Sequence, residues 1–271
     1  MKLLTLKLIK NYILLFVPFF NKNNLLNKNL TNNLKNINFN YINNKIPFTV
    51  KNYSTYINFK LDNEQKSIIE NYINKYSKNL ELVPIKLFLY DKPNYIISIN
   101  FYNCSSPLFF NNNKEITRCE INTYVKDKNI KINKNNNFGT LILDYNSNYL
   151  SLDPINLFKR KSDLLYLKNN KFIKFKSQNN IFNLSVKINY LKFYEKKISD
   201  ELIKYTDNIY YKNNIYDKLA YDDSLIKTIV KIPFENNIEY FKYNNINFTN
   251  IHSIFYFQNN INFFCKLWDN L

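Results

Sequence analysis

Glycine occurs once in 271 residues, at Gly139, and that scarcity removes whole classes of function. A P-loop needs two glycines and a dinucleotide fingerprint two or three, so neither a Walker-type nor a Rossmann nucleotide site is expected. Alanine also occurs once, at Ala220, and arginine twice, at Arg118 and Arg160, while lysine, asparagine, isoleucine, tyrosine and phenylalanine dominate. This bias reads as an AT-rich coding background, in which a Lys or Asn run carries little weight and each Gly, Arg, Ala, Pro or Trp carries more. The three cysteines, Cys104, Cys119 and Cys265, are an odd number without CxxC spacing. Neither a disulfide framework nor a zinc site is indicated, and reduced, partly buried thiols are expected. The single histidine, His252, lies within the apolar alternation of residues 251–257 without a nucleophile elbow, and reads as structural. No cofactor or metal is expected.

Hydrophobic residues make up 45% of the chain and aromatics 17%, with 23 Tyr and 23 Phe, so wholesale disorder is excluded despite the many asparagines. The length allows one medium barrel or sandwich, or two small domains. A formal net charge of +17 invites a nucleic-acid or anionic-membrane reading, but its distribution weakens it. Residues 1–61 carry nine lysines and no acid, and the remainder holds 29 basic against 21 acidic residues. No Arg cluster, zinc spacing or RNA-binding aromatic signature accompanies the other lysines, so a nucleic-acid partner is not expected. The basic start and the apolar stretch 12–20 (YILLFVPFF), too short to span a bilayer, instead make residues 1–61 resemble a targeting leader. The expected destination is a plastid, through a bipartite leader, or a mitochondrion; a disordered tail on a cytoplasmic protein is the alternative. Residues 62–271 are then one domain without a transmembrane span.

From Asp62 the periodicity becomes readable. Asp62 followed by Gln65 resembles a capping box, and Ile68, Ile69, Tyr72, Ile73 and Tyr76 recur on one helical face. Strands are expected at 82–89, 95–101, 119–125, 139–145, 171–176 and 181–189, in successive antiparallel hairpins, with 126–137 as a lengthened hairpin loop and Asn179-Asn180 as a tight turn. A second helix is expected over about 199–219. The C-terminus returns to strands at 251–257 and 261–268, with Asn259-Asn260 as a hairpin signal. Without βαβ alternation the fold class is mainly β (α+β): an antiparallel, cone-like, closed or nearly closed β-barrel with one or two flanking helices.

Three blocks, RCEINTYV at 118–125, GTLILDY at 139–145 and LSLDPINLF at 150–158, together resemble the central part of the acetoacetate-decarboxylase-like β-barrel superfamily. In that family a strand with an inward glutamate leads through a hairpin into a second strand opened by glycine. The ending at 252–268 (HSIFYFQNNINFFCKLW) resembles the closing hairpin of its uncharacterised, non-decarboxylase branch, and LELVPI at 80–85 falls where an early barrel strand should be. The resemblance covers roughly residues 62–271. It implies a mostly apolar barrel interior that admits a small hydrophobic or carbonyl-containing organic ligand.

In the decarboxylases of that family a lysine forms a Schiff base with a β-keto acid, its pKa depressed by a neighbouring cation and by desolvation, the family being a standing example of such activation. Lys159 and Lys161, flanking Arg160, occupy about the right place, but the family's Gly-Phe-Pro-Lys-like context is missing, and a solvated basic turn is the simpler reading. Glu120 has the stronger claim. Alternation puts Glu120, Asn122 and Tyr124 on one face of a strand, with Arg118 joining them. In an open sheet this face would meet water. The resemblance turns it inward, where Glu120 is a candidate acid or base and Arg118, Glu120 and Tyr124 are candidate ligand contacts. A buried Glu then needs Arg118 or Tyr124 within hydrogen-bonding reach. Asp144 and Asp153 have weaker claims, Asp153-Pro154 reading as a turn or a helix cap. The functional expectation is a ligand-binding barrel, with lyase chemistry if it is an enzyme; the alternative is a non-enzymatic organelle accessory or RNA-associated protein whose barrel is only a scaffold.

Overall fold

The computed structural model describes residues 47–105, 115–129, 137–147, 163–169, 172–178, 182–205, 208–211, 214–221 and 229–265. Most of the expected leader, the Asn179-Asn180 turn, Asp153, Lys159, Arg160 and Lys161 lie outside them. The described chain is mainly β with two helices. Strand β1 (Pro47–Val50) and β2 (Thr55–Lys60) precede α1 (Asn63–Tyr76). Then come β3 (Leu80–Leu82), β4 (Ile96–Ser105), β5 (Ile116–Asp127), β6 (Phe138–Ser147), β7 (Asp163–Lys168), β8 (Phe172–Gln178) and β9 (Phe182–Lys197). After α2 (Asp200–Tyr205) follow β10 (Asn208–Tyr211), β11 (Asn214–Tyr221), β12 (Ile229–Tyr243), β13 (Ile246–Asn247), β14 (Ile251–Phe257) and β15 (Ile261–Cys265).

The first helix forms where local signals agree. Asp62 accepts from the Gln65 backbone N–H at 2.8 Å, and the Gln65 side chain accepts from the Asp62 N–H at 3.1 Å, completing the capping box. Ile69 and Ile73 are buried, whereas Ile68, expected on the same stripe, is exposed. Replacing Asp62 with alanine removes one cap and should cost about 1 kcal/mol, read as a lower urea midpoint at unchanged slope.

Among the described residues the fifteen strands join one sheet, which as a whole is not closed: it ends in β3 on one side and β7 on the other. Part of it curls on itself. Strand β4 pairs with both β1 and β5, and the pairings run from β5 through β6, β10, β11, β15 and β1 back to β4. The other strands extend from β4 through β2, β14, β12, β9 and β8 to β7. Neighbours are antiparallel except β6 and β10, which are parallel.

The sheet also claims part of the segment read as a leader. β1 pairs with β15 and β4, and β2 lies between β14 and β4, so the folded region starts by Pro47 and not at Asp62. Lack of acid marks composition; Ile57 and Phe59, fully buried, mark the fold. At the C-terminus the two strands form but are not a hairpin. β14 pairs with β2 and β12, and β15 with β1 and β11. Asn259-Asn260 is a corner, matched by the corner at Asn52-Tyr53, where the Asn52 N–H donates to Asn260 Oδ1 at 2.8 Å and Tyr53 has φ 66°. The expected helix over 199–219 stops at Tyr205 and gives way to β10 and β11. Ile209, Tyr210, Tyr211, Ile215 and Tyr216 are β-branched or aromatic, and the sheet edges of β6 and β15 supply pairing that a helix would forgo. The strand expected at 82–89 shrinks to Leu80–Leu82 plus single bridges at Ile85 and Phe88, because Pro84 has no N–H for a ladder.

Two apolar layers sandwich β4 and β5. One gathers α1 with Ile57, Phe59, Ile97, Ile99, Phe101, Ile121, Phe175, Leu184 and Phe241. The other gathers α2 with Phe88, Tyr102, Cys104, Tyr124, Phe255 and Phe257. No helix among the described residues is long and apolar enough to cross a membrane.

Candidate functional site

Central position decides the fate of the polar face of β5. The strand has β6 on one edge and β4 and β3 on the other, and both its faces are covered, so Arg118, Glu120, Asn122 and Tyr124 are all buried. Arg118 is 0% exposed and Glu120 7%. The face expected to meet water in an open sheet meets the second apolar layer instead.

Glu120 is held by a residue that sequence reasoning missed. Tyr102 on β4 donates its hydroxyl to Glu120 Oε1 in a short contact, and Asn122 Nδ2 donates to Oε2 at 3.4 Å. The register explains the pairing: Asn100 lies opposite Glu120 and Tyr102 opposite Arg118, so Tyr102 is the diagonal neighbour of the carboxylate. Carrying the alternation Ile96, Ser98, Asn100 one step further puts Tyr102 on the same face, but only the register shows which residue of β5 it meets. Of the partners expected for Glu120, Tyr124 makes its hydrogen bond elsewhere. Tyr124 shares one with Ser98 Oγ at 3.1 Å, and Ser98 in turn donates to Asn58 Oδ1 at 2.6 Å. Arg118 acts through its charge.

The electrostatics are those of a dry site. Burial pushes the Glu120 carboxyl above its ordinary pKa, against the Tyr102 hydrogen bond, the Arg118 charge and the Asn122 hydrogen bond, which all favour the ionised form. Burial likewise pushes the Tyr124 phenol up to about 12, opposed by the Ser98 hydrogen bond. Tyr56 on β2, stacked on Phe255 at 5.1 Å, is raised by burial first and then by the nearby Tyr124 and Glu120. Burial also takes the Cys104 thiol up to about 12, with Arg118 pulling the other way, so this cysteine is no nucleophile at neutral pH. The result is one carboxyl group that protonates more readily than a solvated one, beside phenol, amide and guanidinium donors, under an apolar roof. Such a group accepts or delivers a proton near neutrality better than an ordinary carboxylate. Asp144, the weaker candidate, is buried on the neighbouring strand β6. Among the described residues no three His, Cys, Asp or Glu side chains gather as a metal site requires.

The raised pKa has a stability consequence of definite sign. The folded state holds the Glu120 proton at pH values where the unfolded state has released it, so its contribution is greatest in acid and falls as pH rises from the unfolded carboxylate value, about 4.3, through the folded one. Glu120→Gln keeps the shape and cannot ionise. The difference in unfolding free energy between wild type and E120Q should therefore drift in favour of E120Q as pH rises through that window, and a flat difference would contradict the buried, raised carboxyl.

No family model matches the chain, and no curated protein matches it. Two solved structures are similar to it at low scores. One is the enduracididine biosynthesis enzyme MppR complexed with the condensation product of pyruvate and imidazole 4-carboxaldehyde, with a TM-score of 0.44 at 6% identity over 81% of this chain and 87% of that one. The other is an acetoacetate decarboxylase, with a TM-score of 0.42 at 11% identity over the same shares.

Proposed function

We propose that the chain binds a small, mainly apolar organic molecule carrying a carbonyl or carboxyl group, seated against Glu120 on the face of β4 and β5 that α2 and the 85–88 segment cover. Glu120 supplies or takes a hydrogen bond at the polar end, Tyr102 and Asn122 orient it, and Arg118 supplies the counter-charge. The observation that supports this reading is Glu120 itself, a buried carboxyl with a raised pKa set in an apolar layer beside a fully buried arginine. Two ionisable groups in such a place carry a desolvation cost that well-packed apolar residues would avoid, and functional sites are where that cost is tolerated. Binding here needs no covalent lysine.

Thermal unfolding in the presence of acetoacetate and longer β-keto acids, with alcohols of equal chain length as controls, tests the reading. A saturable rise in Tm is expected, equivalent to about 2.7 kcal/mol at a hundredfold excess over Kd. The rise should weaken about tenfold in apparent affinity in E120Q. No rise with any keto acid, or an equal rise with the alcohols, sinks it. Borohydride added to the same samples decides the chemistry: a trapped adduct at Lys159 or Lys161 would replace simple binding with lyase action through a Schiff base, and its absence leaves binding.

A further inference from the structure

Away from Glu120, a cleft of about 240 Å³ opens beside His252, lined by residues from five separate stretches of chain, among them Lys60, Phe88, Asp91, Lys196 and His252. A bulge in β14 between Ile251 and Ser253 breaks the alternation there, so four consecutive residues, Asn250 to Ser253, reach the same cleft. Asp91 organises the basic groups. Its Oδ2 lies 3.4 Å from His252 Nε2 and its Oδ1 3.5 Å from Lys196 Nζ. Lys196 also sits over the Phe88 ring at 4.3 Å, and the Phe88 and His252 rings stack at 6.5 Å.

The charge balance then favours one kind of guest. Both Asp91 oxygens face cations or the imidazole, which leaves the cleft rich in donors: the Lys60 and Lys196 ammonium groups, the imidazole, and the Tyr194 and Ser253 hydroxyls. Against one carboxylate stand two lysines, and three cationic groups once His252 is protonated. Ile232, Ile251 and Phe88 give the cleft apolar walls. We infer that this cleft is a binding site for a small organic anion, a carboxylate or a phosphate ester, with Lys60 and Lys196 as its charge partners and Asp91 as the residue that positions Lys196 and His252. The site is distinct from the one around Glu120, though the ring contacts His252 to Phe88, Phe88 to Phe255 at 5.6 Å and Phe255 to Tyr56 run between the two.

Protonation of His252 should strengthen binding. The groups facing the ring are Asp91, which favours the imidazolium, Lys60 and Lys196, which oppose it together with burial, and the Ser253 hydroxyl at 3.1 Å from Nδ1. A bound anion sides with Asp91, so it must raise the His252 pKa, and affinity must rise as pH falls through that pKa.

Because His252 is the chain's single histidine, its ring signals are assigned without ambiguity in the NMR spectrum of histidine-labelled full-length protein. Titration with benzoate and with inorganic phosphate, and with benzamide as the uncharged isostere of benzoate, is the test. A saturable shift with at least one anion, a raised His252 pKa in its presence, and no saturable shift with benzamide are expected. Lys60→Gln should weaken the anion about tenfold and Lys60→Arg restore it, each checked for an unchanged melting temperature. Saturation by benzoate alone assigns a carboxylate guest, and by phosphate alone a phosphate ester. An equal response to benzamide, no saturation with either anion, or undiminished binding in K60Q in a folded protein overturns the site.

Discussion

Replacing Arg118 with methionine should cost about 3–5 kcal/mol of stability near pH 8 and distinctly less near pH 5. The guanidinium is fully buried, and its charge is one of the influences that hold the Glu120 carboxyl down. Without it, an ionised Glu120 keeps the Tyr102 and Asn122 hydrogen bonds but has lost its buried countercharge. The carboxyl escapes that cost by taking a proton, so its pKa climbs further and the penalty of the variant grows with pH. The double variant R118M/E120Q removes both charges, leaves an amide that Tyr102 still reaches, and should regain most of the loss. Urea denaturation of the four proteins at the two pH values closes the cycle. A loss in R118M that ignores pH, or a double variant as unstable as the sum of the singles, would mean that Arg118 and Glu120 are not energetically coupled.

How far this site could be read beforehand depended on which links were local. The capping box of Asp62 and Gln65 and the alternation of β4, β5 and β6 are written within a few residues of one another, and each formed where expected. That Glu120 shares a face with Arg118 and Tyr124 follows from a period of two. Which side of the sheet is dry does not, because it depends on α2 and the 85–88 segment arriving over that face from elsewhere in the chain. The partner of Glu120 was missed for the same reason: Tyr102 is found through the register of β4 on β5, which alternation alone does not fix.

Pairing was the least legible level. Asn259-Asn260 between two apolar runs has the composition of a hairpin turn, yet the adjacent strands prefer β2 and β1 as partners, bending alongside them at Asn52-Tyr53. The N-terminal strands were hidden by composition, since absence of acid describes residues 1–61 uniformly while β1 and β2 are folded into the sheet. The cleft around His252 draws on β2, β9, β12, β14 and the turn after Phe88, and no short motif announces such a convergence. A lone histidine in an apolar strand read as structural; the bulge that turns it toward Asp91 is a tertiary event.

Gly139→Ala should cost far more than one added methyl group suggests, at about 3 kcal/mol or more, the upper end of what overpacking costs. The reason is contact, not dihedral freedom, for Gly139 does not adopt a positive φ. A Cβ there would stand 2.4 and 2.8 Å from two carbons of the Tyr210 ring and 2.5 Å from the backbone oxygen of Asn208. The ring covers the gap in β6 that the missing side chain leaves. It is fixed in turn, since Tyr210 pairs with Leu141, Ile209 with Thr140, and the Asn208 side chain donates to the Phe138 carbonyl at 2.7 Å. The added methyl therefore pushes β10 away from β6 along their parallel seam, one of the links by which the pairings run from β5 through β6, β10, β11 and β15 to β1 and back to β4. Trimming the ring offers a sharp check. G139A/Y210A relieves the two ring contacts but leaves the Asn208 carbonyl, which is backbone and cannot rotate aside, so the double variant should stay less stable than Y210A alone. Hydrogen exchange should show the amides of 139–141 and 208–211 losing protection together in G139A. Full recovery in the double variant would place the whole clash on the ring, and an unperturbed G139A would mean that β10 does not pack against β6 at this distance.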